Sequence, residues 1–157
     1  MFPIKKQSFF LYQLIIISHL LFACGVNKIS YCNQIMLNIN EANTLISQYK
    51  NPADRTATEK LVQQLNQVFS NLNKIKPRDP ELQKIIVTLT ENFQNLSKGL
   101  TEINQSLKNA EKAPASVTGR QQFEQAKSQI SNTTKNINDL AKRQEKLTSE
   151  LIVYCQK

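Results

Sequence analysis

Residues 80–111 read PELQKIIVTLTENFQNLSKGLTEINQSLKNAE, and the fold follows from how their apolar members are spaced. Leu82, Ile86, Leu89, Phe93, Leu96, Leu100, Ile103, Leu107 and Ala110 recur in steps of three and four, which places them on one face of a helix. Asp79 stands ahead of the segment as an N-cap with Pro80 in the first turn, and Lys112-Ala113-Pro114 closes it. Gly99 falls off the stripe. As a lone helix-interior glycine it costs about 1 kcal/mol relative to alanine, which a helix this long absorbs.

Working outward, the same rhythm appears three more times. Cys32, Ile35, Ile39, Ala42, Ile46 and Tyr49 form one stripe. Leu61, Leu65, Val68, Leu72 and Ile75 form another behind Asn51-Pro52, read as an N-cap and first-turn proline. After a turn at Gly119 the last runs through Phe123, Ala126, Ile130, Thr133, Ile137, Leu140, Gln144, Leu147, Leu151 and Tyr154. Its polar members Thr133 and Gln144 weaken the seam locally; partial exposure near a helix end accounts for them, and a buried polar residue that fixes register is the other reading. Helices are expected over about 28–50, 52–76, 80–111 and 117–155. Repeats of this period joined by short breaks describe an all-α antiparallel up-down four-helix bundle, with a shorter pair laid on a long hairpin as the alternative. Three glycines, five prolines and no tryptophan argue against a turn-rich β fold.

Ahead of the body, which spans 28–157, lies a different kind of sequence. Lys5 and Lys6 precede an apolar run from Phe9 to Val26 that only Gln13, Ser18 and His19 interrupt, the order of charge and apolarity that export machinery reads. The run contains Leu21-Phe22-Ala23-Cys24, which resembles the lipobox of bacterial lipoproteins, although Phe22 departs from the small or β-branched residue usual there. The resemblance implies a leader over 1–24, with Cys24 the lipidated residue. An uncleaved span is the alternative, since the run covers roughly 27 Å as a helix, and ordinary cleavage with release is the third. Each outcome puts the body on the exported side, held there by membrane lipid at the N-terminus in the first two.

An up-down bundle brings the start of the first helix and the end of the fourth to one end, where Cys32 and Cys155 fall. An exported chain meets an oxidising compartment, so a Cys32–Cys155 disulfide is expected, two buried thiols being the other reading. The second turn belongs to the same end. Lys28, Lys74, Lys76, Arg78 and Lys157 are therefore expected to face the membrane as a basic underside, against an ordinary solvated turn.

The leader ending at Cys24, Ser30-Tyr31-Cys32-Asn33, Asp79-Pro80-Glu81-Leu82, Phe93-Gln94-Asn95-Leu96, Gly119-Arg120 and Tyr154-Cys155-Gln156 together resemble a group of small cyanobacterial lipoproteins of unknown function. The resemblance implies a lipid-anchored helical protein on the periplasmic or luminal side and supplies no activity. Size, anchor and fold class are also similar to the four-helix lipoprotein subunits on the luminal face of photosystem II.

His19 is the single histidine and lies in the leader, so the body has none with which to build a nucleophilic triad or most transition-metal sites. Its carboxylates lack the Glu-x-x-His spacing of a di-metal bundle, and there is no glycine-rich phosphate loop. No catalytic residue, metal ligand or cofactor is assigned. With Lys5 and Lys6 set aside, 18 cations face 12 anions, spread without aromatic interleaving or an arginine cluster, which argues against nucleic acid. Asn95, Asn104 and Asn132 match the glycosylation acceptor pattern as chance allows in an asparagine-rich chain. The expected function is a membrane-tethered module that binds or scaffolds a protein partner without catalysis. The alternative is a sensory bundle holding a small ligand near Ala42, Thr133 and Gln144.

Overall fold

The computed structural model describes residues 5–49 and 54–157, with side chains described from Asn27 onward. The leader run and Cys24 therefore lie outside the described side chains, as does the expected cap at Asn51-Pro52. Four helices, α1 (Lys5–Gln48), α2 (Arg55–Lys74), α3 (Pro80–Glu111) and α4 (Val117–Cys155), pack as a helical bundle, and no strand occurs among the described residues. Among those residues, no helix is long and apolar enough to cross a membrane.

Local chemistry sets the boundaries. α2 starts three residues later than the proline suggested, because Asp54 takes the cap and its carboxylate accepts from Ala57 N at 3.0 Å. It ends at Lys74, where Ile75 turns extended (φ −75°, ψ 118°) ahead of Pro77, yet the Ile75 side chain still seals the core. α3 begins as expected on Asp79-Pro80, and α4 follows Ser116, whose hydroxyl accepts from Gly119 N at 3.1 Å. Gly119 is thus inside the first turn of α4, not in the connecting turn. An added Cβ there would overlap the Pro114 carbonyl, so the tight turn itself requires glycine.

The core is built from Ile35, Ile39, Leu65, Val68, Leu72, Leu82, Leu89, Phe93 and Leu151, each at or near zero exposure. Phe69 stacks on Phe93 with ring centroids 5.3 Å apart, and Ile85 joins the same cluster. Two stripe members leave it: Ile46 is 37% and Phe123 49% exposed. Phe123 sits near the start of α4, a helix that packs on α3, touches α1 sparsely and does not meet α2. Among the described residues too little packs on the face that its heptad position was expected to bury, and the residue stays half exposed.

Polar rungs align the helices. Between α2 and α3 the hydrogen-bonded pairs Asn73–Thr90, Asn66–Ser97 and Glu59–Asn104 advance seven residues along one helix while retreating seven along the other, and Arg55–Glu111 follows at the far end. The two therefore run antiparallel. Along α3 and α4 the contacts Asn92–Gln144, Gly99–Ile137 and Ser106–Gln129 descend the same way. Far from being an absorbed cost, Gly99 is buried and lets Ile137 approach to 3.0 Å of where a Cβ would stand.

Candidate functional site at the disulfide pole

The chemistry-bearing residues of the body gather where the described side chains of α1 begin and α4 ends. Cys32, one turn beyond Lys28, and Cys155, in the last turn of α4, lie at disulfide distance with Cα atoms 6.0 Å apart. The expected pairing is therefore met by the geometry, and a hydrogen bond ties the end of the α2–α3 turn to the same place. Tyr154, next to Cys155, donates its phenol to Asp79 Oδ2 at 2.6 Å. Asp79 uses its other oxygen, Oδ1, to accept from Glu81 N at 2.9 Å and Leu82 N at 3.1 Å, capping α3. Lys28 completes the cluster, with Nζ 4.1 Å from the Tyr154 ring centroid, a cation–π contact.

The electrostatics follow from these contacts. The phenol hydrogen bond, foremost, holds the Asp79 carboxyl below its ordinary range, helped by the two backbone N–H groups and Lys28 and opposed by burial. The same bond pushes Tyr154 up to about 12, since ionising the phenol would set it against a carboxylate that it now serves as donor. Asp79 stays charged and Tyr154 stays neutral across the neutral range. This arrangement fastens three elements together, and its acid is already engaged on both oxygens.

Of the expected underside, Lys28 is half-buried on Tyr154, whereas Lys74, Lys76, Arg78 and Lys157 are exposed and form no ion pair among the described residues. Lys74 meets only Asn71, at 3.3 Å. Gln83 Nε2 donates to Pro77 O at 2.7 Å and pins the turn that carries Lys76 and Arg78. Beside the pole an open, mostly apolar cleft of about 430 Å³ runs between Ile85, Val153 and Tyr154, with Lys146 and Lys157 at its edge.

The three residues expected to line a ligand site are not brought together. Ala42 is in the core, and Gln144 is buried against Asn92 (3.0 Å). Thr133 lines a separate solvent-open cleft of about 430 Å³ with Asn95, Gly99 and Arg143. Among the described residues no group of three His, Cys, Asp or Glu side chains assembles as a metal site. Sequence reasoning read Asp79 as a cap and Tyr154 as a stripe member, and missed that they meet. The available signal was Tyr154 lying one residue from a cysteine already assigned to this end. No family model matches the chain, and neither a curated protein nor a solved structure does.

Proposed function

We propose that this chain is a lipoprotein-type module of the kind found in the small cyanobacterial lipoproteins. In this reading it is tethered to a membrane through Cys24 or its apolar leader, with the body on the exported side. An up-down-up-down bundle stands on that anchor and offers its polar sides and far tip to a protein partner, without catalysis of its own. One observation carries the reading. Lys28 and Cys32, which follow the apolar run, are tied to the end of α4, and Tyr154 there bonds Asp79 at the α2–α3 turn, which supports a reading in which four exposed cations gather beside the anchor. Near an anionic surface each contributes about 1 kcal/mol, less the effect of Asp79 and Glu81. From that pole α3 carries the opposite tip about 48 Å away.

Crosslinking in intact membranes, followed by identification of what is caught, tests the tether and the partner together. Recovery of the whole chain in the soluble fraction with an unmodified Cys24 thiol would overturn the reading. Reversing Lys74, Lys76 and Arg78 to glutamate should lower binding to anionic vesicles while leaving neutral vesicles unchanged. The sensory alternative rests on the cleft at Thr133, Gly99 and Arg143, and gains only if a small polar ligand protects Thr133 from exchange there.

A further inference from the structure

We infer that the Cys32–Cys155 pair is a thiol-operated latch on the seam between α1 and α4, so that a dithiol reductant opens this pole and presents the apolar strip behind it. The inference concerns regulation of the pole on which the proposed function rests. Three observations on the geometry lead to it. Among the described residues the α1–α4 seam is the least packed of the four seams between chain-adjacent or end-joined helices, while α3 meets both of its neighbours extensively. The polar and covalent ties between described side chains across the seam at the pole are the cysteine pair and Lys28 on Tyr154, one residue from Cys155. Behind them Ile35, Ile39 and Leu151 have no exposure at all.

The two sulfurs differ in access. Cys155 is half-buried and Cys32 is 4% exposed, so an incoming thiolate attacks at Cys155. The Cys32 sulfur leaves with the bonding electron pair and takes up a proton. The second thiol of the reductant then resolves the mixed disulfide, giving a Cys155 thiol and carrying two electrons' worth of oxidation away as the reductant's own disulfide. With the bond gone, the last turn of α4 is held by Tyr154–Asp79, and α1 meets α4 through Lys28 on Tyr154 and through the apolar cluster of Ile35, Ile39 and Leu151. Helix ends open locally at small cost when covalent and tertiary ties are few.

The test uses the full chain in neutral detergent, where neither membrane nor partner contributes, so its outcome is independent of the tether. The protein is reduced with dithiothreitol and pulsed with iodoacetamide, the modified cysteine is located by peptide mass, and helicity is followed by far-ultraviolet circular dichroism. The expected result is that Cys32 alkylates within about tenfold of a solvent-exposed cysteine while helicity is retained. Cys32 protected by on the order of a thousandfold would show that the seam stays shut without the bond, and overturns the latch. Loss of helicity on reduction also overturns it, because the bond would then staple the whole fold. A Tyr154→Phe chain, which removes the neighbouring hydrogen bond but no sulfur, should alkylate at Cys32 faster than the parent after reduction and not at all before it.

Discussion

Asn92 and Gln144 form a buried polar pair between α3 and α4. Asn92 Nδ2 donates to Gln144 Oε1 and to the Leu140 carbonyl, each at 3.0 Å, and both side chains are buried. Asn92 Oδ1 and Gln144 Nε2 find no partner, so the pair is only half satisfied. Asn92→Leu strands the remaining amide and should cost about 1–3 kcal/mol, whereas leucine at both positions should lie closer to the parent. Urea unfolding of the three chains checks this, and an Asn92→Leu chain as stable as the parent would refute the cost assigned to the unpaired amide. Tyr154 and Asp79 supply the pH dependence. The phenol is raised from 10.0 to about 12, so its contribution is whole below pH 10 and is lost as pH climbs toward 12. The carboxyl is lowered from 3.8, so its contribution is present above pH 3.8 and is lost as pH falls through the depressed value. Thermal melts across pH should therefore show an alkaline loss between 10 and about 12 that Tyr154→Phe abolishes.

Helix by helix, the polar rungs explain how much could be read in advance. Asp79-Pro80 is a local signal that needs no tertiary partner and α3 starts on it, whereas the Ser116 cap of α4 went unread and Gly119, expected in the connecting turn, lies inside its first turn. Glu59, Asn66 and Asn73, and facing them Thr90, Ser97 and Asn104, also repeat every seven residues. Their pairing was illegible, since every heptad position repeats at that interval and only the register of two helices says which polar stripe meets which. Phe123 failed for the complementary reason: its period is helical, but burial needs a neighbour, and α2 never reaches α4. The two body glycines separate local from tertiary demands. At Gly99 an added Cβ meets Ile137 Cγ1 at 3.0 Å and Cδ1 at 3.2 Å, both on a side chain that can shift, against a gain of about 1 kcal/mol in helix propensity. At Gly119 it meets the backbone of Pro114, which cannot yield without dismantling the turn. Gly99→Ala should thus be near neutral and Gly119→Ala should cost about 1–3 kcal/mol by thermal unfolding. Equal losses at the two sites would refute the distinction.

For the molecule as a whole, the cysteine pair acts on the unfolded chain as well as on the pole. Its partners are 123 residues apart in sequence, so the bond ties nearly the entire body into one loop. On the chain-entropy account a loop of this size restricts the denatured ensemble enough to add roughly 4–5 kcal/mol, an upper figure. That is large beside the 5–15 kcal/mol typical of a domain, but smaller than most of that range. The core that remains, from Leu65 and Phe69 across to Leu89 and Phe93, belongs to α2 and α3 and contains neither cysteine. Reduction should therefore leave a folded helical body with a lower urea midpoint, and the denaturant slope should rise because the released chain exposes more surface on unfolding. Comparing oxidised and reduced chains by urea titration of the far-ultraviolet signal checks both terms. A midpoint that falls at constant slope would place the effect in lost native contacts at the α1–α4 seam, and a midpoint that does not move would mean that the two sulfurs are not joined in the protein as isolated.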